Sequence, residues 1–275
     1  MSTHASPDRF FEHAGARLRW RLEGHGPAIV LLHGWALDLD YWDEAVRRLA
    51  ARFTLLRFDR RGFGLSQGEP DAARDLTDLV ALLDASGLQR ALVIGMSQGA
   101  RLALHFAAAW PARVQALVLD GAPLLDAEPE LPLAQFRRAL EHDGLAALHA
   151  GIRRHPLMQL RREDPGPRRR IDTMLARYRG LDLQSRAEPQ QRPIAGTDAL
   201  RVGEPLSLHT IDMPVLVLNG EGDSAGRRLA AASLAAALPD ARRVQLADAG
   251  HLALLDTPGA YVQAVTAFAQ SLPAW

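Results

Sequence analysis

The 275-residue chain carries 32 basic and 32 acidic side chains, so its formal net charge is zero, which offers no general attraction for a polyanion and argues against nucleic acid as a partner. Hydrophobic residues make up 48% and charged residues 23%, near the averages of globular domains, which excludes a disordered or fibrous chain. Cysteine is absent, so disulfides, thiolate metal sites and a cysteine nucleophile are excluded.

Residues 1–8 show no basic segment leading into an apolar core, so no secretory signal is read and the cytoplasm is the expected location. The longest apolar runs are strand-sized, well short of the ~20 residues that cross a bilayer, and no membrane contact is expected. Residues 17–22 alternate apolar and polar, as a half-exposed strand would. Residues 28–32, 53–58, 91–94 and 116–119 are short, near-continuous apolar runs suited to buried parallel strands. Between them, Leu76, Leu79, Val80 and Leu83 recur at helical spacing behind Pro70 and Asp71, which mark a helix start. A second helix is predicted over 100–109, ended by Pro111. Alternation of this kind predicts an α/β fold, a mostly parallel sheet with helices on both faces.

From 126 to 209 the strand signal disappears and the chain becomes helical, arginine-rich and broken by prolines, which predicts a helical cap inserted into a sheet domain formed by 1–125 and 210–275. Its pairs Arg137-Arg138, Arg153-Arg154 and Arg161-Arg162 have acidic residues interspersed around them and read as solvated faces. The sheet pattern returns at 213–218 and again near 243–246, and a helix over 259–272 closes the chain.

One segment carries the chemistry. In Gly95-Met96-Ser97-Gln98-Gly99 an apolar run ends in a serine with glycines two residues to either side, and an Ala/Leu-rich helix follows at once. A serine between strand and helix must turn tightly; glycines at those positions remove the Cβ atoms that would collide, and the hydroxyl is left exposed above the sheet. Gln98 then offers a backbone N–H at a helix start, where unpaired donors and the helix dipole favour a developing oxyanion. A serine hydroxyl needs a base, and the base needs an orienting carboxylate. Asp223, in the glycine-containing turn Asn219-Gly220-Glu221-Gly222-Asp223 that ends a strand, falls on the same sheet edge, and His251 in Asp248-Ala249-Gly250-His251 follows the last strand on a loop free to reach it. Asp248 is too near His251 along the chain to serve as its carboxylate. The order Ser97, Asp223, His251 is the one this arrangement takes on an α/β sheet. No phosphate loop, no dinucleotide-binding glycine pattern and no paired-histidine helix is present, so no cofactor and no metal is expected.

Through His33-Gly34-Trp35, the 59–66 segment Asp59-Arg60-Arg61-Gly62-Phe63-Gly64-Leu65-Ser66, the serine pentapeptide, Gly220-Glu221-Gly222-Asp223 and Gly250-His251, the chain resembles the α/β-hydrolase superfamily over nearly its whole length. The resemblance implies that Trp35, after the His-Gly pair, lends a second oxyanion N–H, that His33 is a structural hydrogen-bonder behind that loop, and that the 59–66 turn is structural. It implies a serine hydrolase of the esterase or enol-lactonase kind, cleaving a small carboxylic ester or lactone through an acyl-enzyme on Ser97. Carbon-carbon bond hydrolases and cofactor-free perhydrolases share the same triad, and some members of the fold are non-catalytic small-molecule receptors. Some relatives carry the acid one strand earlier, where this chain has Asp120. Trp35, Met96 and Gln98 are assigned to the pocket lining, with Trp35 alternatively packing under the cap. A roof of Leu131, Leu133, Leu157 and Met158 is expected, with the cap selecting substrates and supplying no catalytic group.

Overall fold

The computed structural model describes residues 6–124, 130–184 and 206–273. Eight strands form one sheet: β1 (Arg9–His13), β2 (Ala16–Gly24), β3 (Ala28–Leu32), β4 (Thr54–Phe58), β5 (Ala91–Met96), β6 (Val114–Asp120), β7 (Val215–Gly220) and β8 (Ala241–Leu246). Their order across the sheet is β1-β2-β4-β3-β5-β6-β7-β8. Only the β1/β2 and β2/β4 pairs are antiparallel; the pairs from β4 through β8 run parallel. Strand β1 escaped the sequence reading because Arg9, Phe10 and Glu12 are exposed, so no buried face betrays it.

Because side chains on a strand alternate between faces, each central strand feeds two cores. Ile29, Leu31, Leu55, Leu92, Ile94, Val118, Leu216 and Leu218 point to one side, where they pack with α1 (Asp43–Leu49), α8 (Ala253–Asp256) and α9 (Pro258–Ser271). Val30, Leu32, Leu56, Val93, Leu117, Leu119, Val215 and Val217 point to the other, against α2 (Ala72–Ala85), α3 (Gln98–Ala109) and α7 (Ala225–Ala237). Burial on both faces explains why these strands read as continuous apolar runs rather than alternating ones. Helix α2 starts where Pro70 and Asp71 predicted, with the Asp71 carboxylate accepting from the N–H groups of Ala73 (3.0 Å) and Arg74 (3.1 Å).

Between β6 and β7 the described chain is helical: α4 (Leu133–Arg154), broken at Gly144 by a left-handed φ of 80°, then α5 (Pro165–Arg177) and the single turn α6 (Leu181–Gln184). Phe136, Leu140, Leu148, Ile152, Ile171, Met174, Leu175 and Leu183 from these helices join the first of the two cores. The segments 126–129 and 185–205 of the predicted insertion lie outside the described residues. Among the described residues no helix is long and apolar enough to cross a membrane.

Candidate active site

Ser97 sits between β5 and α3 with φ 54° and ψ −115°, a conformation that costs a non-glycine residue about 1–3 kcal/mol and persists only where its surroundings impose it. The surroundings do impose it. A Cβ at Gly95 would lie 2.6 Å from the Ala100 Cα, and one at Gly99 would lie 2.8 Å from the His33 carbonyl oxygen, so strand end, helix start and the β3 loop interlock with no room for side chains. The Ser97 N–H donates to the Asp120 carbonyl at 2.7 Å, which ties the turn to β6.

The other two predicted residues come to the same sheet edge. Asp223 follows β7 and His251 follows β8; His251 Nδ1 and Asp223 Oδ2 are 3.1 Å apart, with the two residues 4% and 3% exposed. Asp223 Oδ1 accepts from the Ser224 N–H at 2.7 Å, which fixes the carboxylate plane. With Nδ1–H donating to Asp223, Nε2 is left as the basic nitrogen of the ring. Gly121 closes against this pair: its φ is 54°, and a Cβ there would come within 2.9 Å of the imidazole.

Asp120, the other candidate acid, is fully buried, with the equally buried Tyr261 hydroxyl as its side-chain neighbour. Burial, and then the neighbouring charge of Asp223, push its pKa well above the usual carboxylate range. Of the two aspartates, only Asp223 meets the ring of His251.

Trp35, Leu37, Met96, Ser97, Leu131, Leu157, Met158 and His251 line one narrow cleft, with about 10 Å³ of free space, room for roughly one water. Three of the four expected roof residues, Leu131, Leu157 and Met158, are there. Leu133 instead packs, partly buried, against the core. Gln98 does not line the cleft: its side-chain oxygen accepts from Arg60 Nη2 at 2.6 Å, which turns the amide away while its backbone N–H stays beside Ser97. Among the described residues, neither the Trp35 nor the Gln98 backbone N–H has a hydrogen-bond partner. Leu157 and His251 also face a larger cavity of about 410 Å³, edged by Arg154 and Arg161. Both arginines are exposed, as are Arg137, Arg138, Arg153 and Arg162, in keeping with solvated faces, and Arg153 pairs with Asp172.

His33 is not a base. It is fully buried, and burial together with the Arg60 charge holds its pKa well below the usual histidine range. Neutral, it donates from Nδ1 to the Gly34 carbonyl (2.8 Å) and accepts the Arg60 N–H at Nε2 (3.0 Å), joining the loop after β3 to the loop after β4. The 59–66 turn is built in the same structural way. The Asp59 carboxylate accepts from the N–H groups of Leu39 and Leu65, both at 2.8 Å, and the Ser66 hydroxyl donates to the Asp59 carbonyl at 2.7 Å.

A parallel sheet that presents a strained serine, a buried His–Asp pair and two free N–H groups at one edge defines a hydrolase of the α/β class. The family model for the alpha/beta hydrolase fold matches residues 27–258, and the chain belongs to that family. Among its relatives, a pimeloyl-[acyl-carrier protein] methyl ester esterase of Pectobacterium atrosepticum is 30% identical, over 93% of this chain and all of that protein, and one of Nitrosomonas europaea is 30% identical over 87% and 94%. Among solved structures, a hydrolase from Pseudomonas aeruginosa superposes with a TM-score of 0.77 at 27% identity, covering 98% of this chain and 100% of that one. An enol-lactonase from Burkholderia xenovorans shares the fold, with a TM-score of 0.77 at 23% identity. By family and relatives the chain is a hydrolase of the esterase kind.

Proposed function

We propose that the chain hydrolyses a small carboxylic ester or lactone, without a cofactor, through an acyl-enzyme on Ser97. The observation that carries this reading is the apolar cleft shared by Ser97 and His251, with Asp223 3.1 Å behind the imidazole. In the first half-reaction Ser97 Oγ attacks the carbonyl carbon while His251 Nε2 takes the hydroxyl proton. The oxyanion that forms is received by the N–H groups of Trp35 and Gln98, and Asp223 stabilises the imidazolium. The carbonyl re-forms, the C–O bond to the alcohol breaks, and the imidazolium returns its proton to the departing oxygen. Water then repeats the sequence on the acyl-enzyme: His251 takes its proton, hydroxide adds to the carbonyl, and Ser97 leaves protonated with release of the acid.

Residues 126–209 act in this reading as a cap over the edge of a sheet domain formed by 1–125 and 210–275. Leu131, Leu157 and Met158 grip the apolar part of the substrate, and the cavity beyond Leu157 takes its longer arm. The methyl ester named for the relatives makes the methyl ester of a carboxylic acid the first substrate to try. Replacing Ser97 by Ala should lower turnover of such an ester, and of p-nitrophenyl acetate, by ~10⁴- to 10⁶-fold while leaving the circular dichroism spectrum unchanged. A folded variant with wild-type turnover would overturn the proposal.

A further inference from the structure

Trp35 is a second place, beside the cleft, where the helices between β6 and β7 meet the candidate site. The residue after it, Ala36, has φ 58°, so the turn that would present the Trp35 N–H is itself left-handed at a non-glycine position and needs something to hold it. The indole supplies the hold. Trp35 is 3% exposed; its Nε1–H donates to Asp182 Oδ2 at 2.7 Å, 147 residues further along the chain. Its ring stacks on Phe136 of α4, with centroids 5.5 Å apart and planes at 15°, and meets the Tyr178 ring edge-on at 5.3 Å.

The same aspartate takes a second donor, the Tyr178 hydroxyl, on Oδ1 at 2.6 Å. Tyr178 in turn stacks on Phe63 at 5.8 Å, and the Arg60 guanidinium lies 4.4 Å above the Phe63 ring. Arg60 is the group that grips the Gln98 side chain. A connected set of contacts thus runs Trp35, Asp182, Tyr178, Phe63, Arg60, Gln98, and its two ends are the two residues proposed to receive the oxyanion.

We infer that Asp182 is a positioning residue for the oxyanion hole, acting through the Trp35 indole, so that the inserted helices set the rate of the chemical step as well as the choice of substrate. The inference rests on the proposed roles of Trp35 and Gln98. Its physical basis is that an oxyanion donor is effective only 2.7–3.1 Å from where the charge develops, so a small release of the Trp35 turn weakens the transition state more than the bound ester. The hydrogen bond to the Asp182 carboxyl is a directional restraint on that ring, beside its two aromatic contacts.

The experiment compares wild type, Asp182→Ala, Asp182→Asn, Trp35→Phe and the double variant Trp35→Phe/Asp182→Ala. The readouts are kcat and KM for p-nitrophenyl acetate and inhibition by a trifluoromethyl ketone, whose serine adduct places an oxyanion in the hole. Asp182→Ala should lower kcat ~10- to 100-fold, less than outright loss of an oxyanion donor, and weaken the ketone by a similar factor with KM within ~2-fold. Asp182→Asn should restore part of this, because its amide oxygen still accepts from Trp35 Nε1. In the Trp35→Phe background, Asp182→Ala should cost less than ~2-fold, since the bond is already gone.

Wild-type kcat and ketone affinity in a folded Asp182→Ala variant would overturn the inference, as would an equal loss in the Trp35→Phe background or a loss confined to KM. If Asp182→Ala fails to fold, Asp182→Asn carries the test: a kcat deficit with Trp35 present that vanishes with Phe at that position supports the coupling, and one that persists overturns it. Ser97→Ala separates the two levels. A dead Ser97→Ala beside a fully active Asp182→Ala sinks the coupling alone, whereas an active Ser97→Ala sinks the underlying mechanism.

Discussion

At the sheet edge Ser97 is held by backbone: Gly95 and Gly99 leave space for no Cβ, and the chain turns from β5 into α3 through a strained φ of 54° at Ser97. In the inserted helices Asp182 holds Trp35 by side chains alone, a carboxylate to an indole N–H at 2.7 Å and two aromatic neighbours. The first arrangement is steric and cannot change without refolding the strand–helix junction. The second is a set of exchangeable contacts, which substitution can alter while the sheet stays intact. On the function proposed above, a fold organised in this way keeps the nucleophile constant and leaves substrate choice, with the fine setting of the oxyanion hole, to the helices between β6 and β7.

The contrast breaks first at the acid. Asp223→Asn should lower turnover ~10⁴-fold, because an amide in place of the carboxylate no longer stabilises the imidazolium or fixes its tautomer. Steady-state kinetics on p-nitrophenyl acetate would show it, and a loss below ~10-fold would move the orienting role elsewhere. Smaller changes belong to the roof. Leu157→Ala and Met158→Ala should shift preference along a series of p-nitrophenyl esters of increasing chain length, by ~10- to 200-fold per methylene-sized gap at most, graded rather than absolute. A variant that lost all chain lengths equally would place its residue among the chemical groups instead.

Asp120→Asn should have the smallest effect on rate, under ~10-fold, and a characteristic effect on stability. Burial and the Asp223 charge raise the pKa of Asp120 in the folded protein, whereas in the unfolded chain an aspartate ionises above about pH 4. The folded state therefore holds the extra proton, and the wild type loses stability as pH rises above about 4, a loss the amide does not share. The Tm advantage of Asp120→Asn should widen between pH 5 and pH 8. A constant difference across that range would mean that Asp120 is ionised in the fold.

What could be read from the chain follows the same division. Ser97, Asp223 and His251 are legible because each lies beside glycines at the end of a strand, so local sterics and short spacing announce them. The central strands are legible because both faces are buried. Strand β1 is not, since Arg9 and Glu12 face solvent, and α1 hides behind Asp43, Glu44, Arg47 and Arg48, which leave only Ala45, Val46 and Leu49 buried. Neither the tie between Trp35 and Asp182 nor the turning of Gln98 toward Arg60 has any signature in spacing; the first joins residues 147 positions apart and the second 38.

The central claim, that Ser97 is the activated nucleophile, is tested most directly by labelling with a fluorophosphonate and mapping the adduct by peptide mass spectrometry. Ser97 should carry the phosphonyl group, and labelling should be lost in Ser97→Ala and strongly slowed in His251→Ala, since the hydroxyl reacts only with its base beside it. An adduct on any other residue, or undiminished labelling of the Ser97→Ala variant, would contradict the account.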